Sequence, residues 1–263
     1  MARYRRAAKA TQRPGCPFRV EAPHMLQNST RPLIVIPARM AATRLPGKPL
    51  ADIAGRPMIV WMIERALAAN IGPVVVAAGD PEIVAAVEAA GGRAILTDPA
   101  LPSGTDRVHA AVQAAGEAYD VIVNLQGDMP TVDPATIRAA VEALRNGADL
   151  ATLVSPSDDP TDRDNPNVVK AIVAADGRCL YFTRAAAPSG HGPVWRHVGL
   201  YVYRRAALDR FVAAAPSPLE LREKLEQLRA LEMGMTIRAG IVATFPKGVD
   251  SPADLELARK MLG

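Results

Sequence analysis

From Leu33 onward the chain alternates short apolar, β-rich runs with stretches of helical periodicity, and this alternation limits the fold more than any other feature. The runs at 33–36 (LIVI), 73–78 (PVVVAA), 93–97 (RAILT) and 121–125 (VIVNL) read as strands. Between them, 57–69, 81–90, 105–115 and 134–145 read as helices, with Pro57 suited to a first turn and Asp80, Ser103 and Asp133 at N-cap positions. Strands followed by helices in this way build a mostly parallel sheet. Because the strands are apolar with little alternation, both faces of that sheet should be covered.

After residue 146 the pattern changes. The strand-like segments 149–154, 167–174 and 178–182 come without long helices between them, and VWRHVGLYVY at 194–203 alternates polar with apolar residues. This predicts a small antiparallel extension. A helix over 218–233, two short strands and a last helix over 251–262 complete the expected order. Neither an internal repeat nor a long linker interrupts it, so residues 31–263 are expected to form one unit with a nucleotide half and a second-substrate half.

The formal net charge of +4 raises the question of nucleic acid, and the location of the charge answers it. Six of the 31 basic side chains and one of the 27 acidic ones fall in residues 1–30, which leaves 25 basic against 26 acidic in the rest. The body is not a basic, DNA-coating surface. Residues 1–30 lack the apolar core of a secretory signal, and Pro14, Pro17 and Pro23 break any long helix, so the segment is expected to be a disordered basic arm. Met25 stands where the natural start is expected. No stretch approaches the roughly 20 apolar residues that span a bilayer, and no membrane partner is expected. Two cysteines, Cys16 and Cys179, cannot form a disulfide framework and fit a reducing cytoplasm.

The loop after the first strand, PARMAATRLPGKPL (37–50), places Arg39, Arg44 and Lys48 within ten residues. In an open parallel sheet the ligand sits beyond the carboxyl ends of the strands, so an anion is expected here. Neither G-x-x-x-x-G-K-[ST] nor G-x-G-x-x-G is present, and Pro46 precedes Gly47, so side-chain cations must supply what an amide cradle would. Two forked guanidinium groups and one compact ammonium suit a polyphosphate. Asp52 is the one acid in the near surroundings of the loop along the sequence. At the end of the fourth strand, LQGD (125–128) puts Asp128 where it can bind a metal ion, with Gly127 allowing close ligand approach; a turn-forming role before Pro130 reads equally from the residues alone. Asp250, in GVDSPADL (248–255), follows a strand-like run and is also a helix-start signal.

Together these segments, with SGTDR (103–107), NPNVVK (165–170), RHVGLY (196–201) and SPLELREKLEQLR (217–229), in this order, resemble the 3-deoxy-manno-octulosonate cytidylyltransferase (CMP-Kdo synthetase) family from about residue 33 to the end. The resemblance implies a Rossmann-like α/β fold of the nucleotide-diphospho-sugar transferase type, a cytoplasmic homodimer, and transfer of CMP from CTP to Kdo for lipopolysaccharide biosynthesis. It implies that Arg39, Arg44 and Lys48 neutralise the triphosphate and that Asp128 and Asp250 hold Mg²⁺. It places cytosine against Ala38, Ser103, Arg107 and Gln126, and the sugar acid against Arg184, His197, Tyr201, Glu220 and Gln227. Glu223 and Lys224 are expected to be solvated, and Trp61 and Trp195 to pack. Two departures stand out: Met129 follows Asp128 where many relatives carry Glu, and the 185–195 segment is short.

Read without the family, His197 is as well a structural histidine and Tyr201 a packed aromatic, although alternation puts His197, Gly199 and Tyr201 on one strand face. An 8-amino analogue of Kdo or another 2-keto sugar acid is the alternative substrate. A glycosyltransferase on the same fold would carry an Asp-x-Asp motif, which Asp128-Met129-Pro130 lacks. A nucleic-acid binder would act through the basic arm.

Overall fold

The computed structural model describes residues 30–41, 45–116, 118–144 and 147–263. In chain order the elements are β1 (Pro32–Ala38), β2 (Asp52–Ile53), β3 (Arg56–Pro57), α1 (Met58–Ala68), β4 (Val74–Ala78), α2 (Pro81–Ala89), β5 (Ala94–Leu96), α3 (Gly104–Ala114), β6 (Val121–Leu125), α4 (Pro134–Ala143), β7 (Leu150–Ser157), α5 (Pro160–Asp164), β8 (Lys170–Val173), β9 (Cys179–Thr183), β10 (Val194–Arg204), α6 (Arg205–Ala213), α7 (Pro218–Glu223), α8 (Gln227–Glu232), β11 (Ile237–Ile241) and α9 (Pro252–Leu262). The arm expected at 1–30 falls, apart from Thr30, outside the described residues.

Strand order in the main sheet is β11-β7-β10-β6-β1-β4-β5. β1 pairs in parallel with β4 on one side and β6 on the other, β4 with β5, and β7 with β11. β10 runs antiparallel between β6 and β7, and its first residues also carry the β8–β9 hairpin. The mostly parallel sheet and its antiparallel extension are thus as the sequence predicts. The chain steps from β1 outward to β4 and β5 and then returns to β6 on the other side of β1. That reversal opens a crevice beyond the carboxyl ends of β1 and β6.

The strands are apolar on both faces because each face is covered. Ile34 and Ile36 point into one cluster with Ile59, Val87 and Ile137 of α1, α2 and α4. Leu33 and Val35 point into the other, with Val108, Leu208 and Leu228 of α3, α6 and α8. A third cluster, Ile53, Met58, Val249, Leu255 and Ala258, packs α9 onto the β2–β3 hairpin, and Arg259 Nε donates to the Asp52 carbonyl at 2.9 Å. Full burial of a side chain such as Ile53 or Met58 contributes about 1.5–3 kcal/mol. This small cluster therefore fixes the chain's last segment beside the loop that follows β1.

Several local expectations are corrected. The 218–233 helix is two helices, α7 and α8, broken where Lys224 adopts φ 56°. The break turns Leu225 and Leu228 into the core. One strand, β11, stands where two short ones were expected, and helices α5 and α6 were not anticipated. Ser103, Asp133 and Asp80 all occupy the N-cap positions predicted, but only the first two cap with their side chains; the Asp80 carboxylate accepts from Met40 N at 2.7 Å, which ties the loop after β1 to the end of β4. In the extension, Lys170 is fully buried, and its Nζ donates to the carbonyls of Asn165, Val168 and Arg184 at 2.9, 2.7 and 2.9 Å.

Candidate active site

The crevice at the reversal point is a cleft of about 340 Å³ between the loop after β1, the N-terminus of α3 and the turn after β6. Ala38, Arg39, Lys48, Ser103, Arg107, Gln126, Asp128 and Asp250 all line it. Residues scattered over more than 200 positions are thus brought to one place. Arg44 lies outside the described residues.

Local geometry explains how they converge. Gly47, at φ 70°, turns the chain into a 3-10 turn over Lys48–Leu50, and its N–H bonds to the Met40 carbonyl at 3.1 Å. Lys48 Nζ then lies 3.2 Å from Asp128 Oδ2 and 3.2 Å from Asp250 Oδ1. The acids that compensate the loop's charge are therefore Asp128 and Asp250 on the ammonium, with Asp80 on the backbone; Asp52 accepts from Gly55 N. Burial pushes the Asp128 carboxyl above its ordinary range, against the downward pull of Lys48.

The two ambiguous aspartates are resolved by their neighbours. Ser251 caps α9 with Asp254 as its reciprocal partner, so Asp250 stands outside the cap and faces the cleft. Asp128 begins the turn after β6, and Met129 beside it is a buried core residue packed against Val132 and its neighbours. Gly127 is required for a reason other than ligand approach: a Cβ there would meet the Pro37 carbonyl oxygen at 2.8 Å, so the glycine lets the ends of β1 and β6 lie together.

Arg107 is buried and spends its guanidinium on Thr97 Oγ1 at 2.6 Å and the carbonyl oxygens of Asp98 at 3.1 Å and Pro99 at 3.4 Å. It shapes the wall of the cleft by holding the loop after β5. Burial, and then Arg39 nearby, lower its pKa. Gly79 makes room, since a Cβ there would stand 2.9 Å from Arg107 Nη1.

A second chamber, of about 750 Å³, shares Gln126, Asp128 and Asp250 with the first and extends past Asn167, Gly199, Phe245 and Lys247. His197 and Tyr201 do share a face of β10, with ring centroids 5.5 Å apart. His197 is buried against Phe182, its Nε2 meets Thr152 Oγ1 at 2.9 Å, and burial lowers its pKa to about 3, so the ring is neutral. Gln227 is buried on α8, and its Nε2 has no partner among the described residues.

None of the five expected sugar residues lines either chamber; the β10 wall of the second chamber is Val198 and Gly199. Arg184 donates to the carbonyls of Glu223 and Pro166. Glu220 is paired with Arg229 at 2.5 Å and accepts from Ser217 N at 2.9 Å, closing a capping box. Glu223 is not simply solvated: its carboxylate accepts from Thr183 Oγ1 at 2.9 Å and Arg184 N at 3.0 Å, whereas Lys224 is exposed. Trp61 packs as expected and donates to the Ile53 carbonyl. Asn124, Thr105 and Glu226 were missed altogether, though a lone asparagine inside the apolar strand VIVNL was a signal for the first.

Comparison with known proteins places the chain in a family. The model of the cytidylyltransferase family matches residues 33–237. The chain is similar to the 3-deoxy-manno-octulosonate cytidylyltransferase of Parvibaculum lavamentivorans, 61% identical over 238 residues covering 88% of this chain and 92% of that protein. It is similar to the Rhodospirillum centenum protein of the same name, 60% identical over 239 residues covering 88% and 93%. Among solved structures it resembles CMP:2-keto-3-deoxy-manno-octonic acid synthetase complexed with CTP, with a TM-score of 0.84 and 38% identity over 89% of this chain and 98% of that one.

Proposed function

The chain belongs to the cytidylyltransferase family, among the 3-deoxy-manno-octulosonate cytidylyltransferases, and on that footing we propose how its cleft condenses CTP with Kdo to give CMP-Kdo and pyrophosphate. The observation that carries the reading is the meeting of Asp128 and Asp250 on one cation at the carboxyl ends of β1 and β6.

In the proposed reaction the anomeric hydroxyl oxygen of Kdo attacks the α-phosphorus of CTP. The new O–P bond forms as the bond from that phosphorus to the bridging oxygen breaks. Pyrophosphate leaves with the electron pair, and the hydroxyl proton passes to solvent. Most of the catalysis is then positioning and charge stabilisation, with no covalent enzyme intermediate.

Arg39 and Lys48 are assigned to the triphosphate, Arg44 with them by the family pattern, and Ala38, Ser103 and Arg107 to the cytosine side of the cleft. The donor set fits a divalent ion: two carboxylates already converge on a positive charge, and magnesium needs few carboxylates when phosphates and waters complete its sphere. When bound, Mg²⁺ would neutralise phosphate oxygens and acidify the attacking hydroxyl. Asp128 and Asp250 would hold it. On the sugar side, His197, Tyr201, Gln227, Arg184 and Glu220 are assigned by the family pattern alone; the second chamber is walled by Val198 and Gly199 of β10, next to His197 and Tyr201 in the chain. We further propose a cytoplasmic homodimer serving lipopolysaccharide biosynthesis; no helix among the described residues is long and apolar enough to cross a membrane.

The test is pyrophosphate release with CTP, Mg²⁺ and Kdo, run beside the 8-amino analogue. Release should depend on Kdo and be faster with it than with the analogue. Release no greater than with CTP alone would end the reading.

A further inference from the structure

Gln126, which lines both chambers, is joined to α8 by a chain of hydrogen bonds that the reaction scheme does not use. Gln126 Nε2 donates to Asn124 Oδ1 at 3.0 Å, Asn124 Nδ2 to Thr105 Oγ1 at 3.4 Å, and Thr105 Oγ1 to Glu226 Oε2 at 2.6 Å. Asn124 is 0% exposed and Thr105 2%, so neither can exchange these partners for water. The Tyr203 phenol also hydrogen-bonds Thr105.

The direction of this chain is not free. An isolated Asn–Gln pair is degenerate, because turning both amides over restores the same bond. A carboxylate, however, has no proton to give, so Thr105 must spend its one O–H on Glu226. Thr105 can then only accept, which turns the Asn124 amide NH₂ toward it and the Asn124 carbonyl toward Gln126. Gln126 must in turn give its NH₂ to Asn124, and its carbonyl Oε1 is left for the cleft. One acid, 121 residues away in sequence from the threonine it holds, thus sets the sign of the group shown to the substrate.

We propose that Glu226, Thr105 and Asn124 are positioning residues that lock Gln126 as an acceptor, which selects a hydroxyl donor of the substrate where the two chambers meet. The identity of that substrate rests on the cytidylyltransferase reading; the polarity of the amide does not. A carbonyl or carboxylate oxygen at the same place would face another acceptor and be rejected. This moves Gln126 from the cytosine contact that the resemblance implies to a hydroxyl of the CTP ribose or of the sugar acid, and the experiment separates the two.

The test uses the full chain labelled with ¹⁵N, the Gln126 side-chain amide being assigned by its loss in Gln126→Glu. Thr105→Val removes the hydroxyl while keeping the shape, and Glu226→Gln supplies an NH₂ that admits the reversed chain. Both are expected to shift or split the Gln126 amide signal. Both should raise KM for one substrate by roughly three- to tenfold, the value of one neutral hydrogen bond, with kcat within about twofold. Thr105→Ser should restore the wild-type signal and KM. If the affected KM is that for CTP, 2′-deoxy-CTP should be insensitive to Thr105→Val; if it is that for Kdo, the ribose is not the group read.

An unchanged Gln126 signal in both disrupted variants would overturn the proposal, as would a Thr105→Ser protein that behaves like Thr105→Val. If Thr105→Val does not fold, Glu226→Gln and Thr105→Ser still decide, because a signal unmoved by Glu226→Gln refutes the lock. A wild-type protein that releases no pyrophosphate would sink the functional reading alone, since the amide signal is read without turnover.

Discussion

Lys48→Met should have opposite effects on metal binding and on turnover. The ammonium sits 3.2 Å from an oxygen of each aspartate, with side chains 18% exposed for Lys48, 28% for Asp128 and 45% for Asp250. Two unit charges at that distance attract by about 1.3 kcal/mol with the dielectric of water and about 5 kcal/mol at an effective value of 20. Even at the lower end the two contacts together come to about 2.6 kcal/mol, or roughly 80-fold in a binding constant. A divalent ion arriving at the nucleotide-free site must displace that ammonium. Methionine, of similar length and uncharged, removes the competitor. Manganese titration followed by electron paramagnetic resonance, without nucleotide, should therefore show at least tenfold tighter binding in the variant. Pyrophosphate release should meanwhile fall by two orders of magnitude or more, because the ammonium proposed to face the triphosphate is gone. Manganese affinity that is unchanged or weaker in Lys48→Met would mean that the two carboxylates do not form a cation site, and the reasoning would fail.

Asp128→Asn and Asp250→Asn should each lose at least about a hundredfold in turnover while melting close to the wild type, as steady-state kinetics and circular dichroism would show. Gly127→Ala drives a Cβ to 2.8 Å from the Pro37 carbonyl, and the backbone must move to relieve it. A loss of about 1–3 kcal/mol is expected, read as a lower melting temperature, with activity falling as the β1 and β6 ends separate. For His197, burial lowers the folded pKa from 6.5 to about 3, so the unfolded chain binds the extra proton between those values. Stability should thus fall as pH drops below about 6.5. A His197→Phe variant should flatten that acid limb in urea melts at several pH values, and wild-type turnover should show no step near pH 6.5 from this ring.

The parts of this molecule that were legible in the sequence are those whose cause is local. β1 and β6 announced themselves as apolar runs followed by charged turns, and Ser103 and Asp133 as caps. The 218–233 stretch keeps a helical period across Lys224, so nothing local signalled the break there; burial of Leu225 and Leu228 imposes it. Helix α6 follows β10 with no turn residue between Arg204 and Arg205, which hid the boundary. The partners of Lys48 lie 80 and 202 residues away, and spacing in the loop could not name them. Asp128, after an apolar strand, and Asp250, before a helix, stood out as candidate carboxylates, the resemblance paired them, and the cleft holds both. For the sugar acid the resemblance named Arg184, His197, Tyr201, Glu220 and Gln227, and none of the five lines either chamber.

Lys170 gives the extension a built-in clock. An amine must shed its proton and meet solvent before an acylating reagent can reach it, and this one is sealed by three carbonyl oxygens from the 165–168 turn and the end of β9. Reagent can attack only when all three let go at once, that is, when the hairpin lifts from its seat. The slow fraction in a lysine-labelling time course therefore times the opening of the extension around Lys170, and any ligand that holds that extension closed should lengthen the interval.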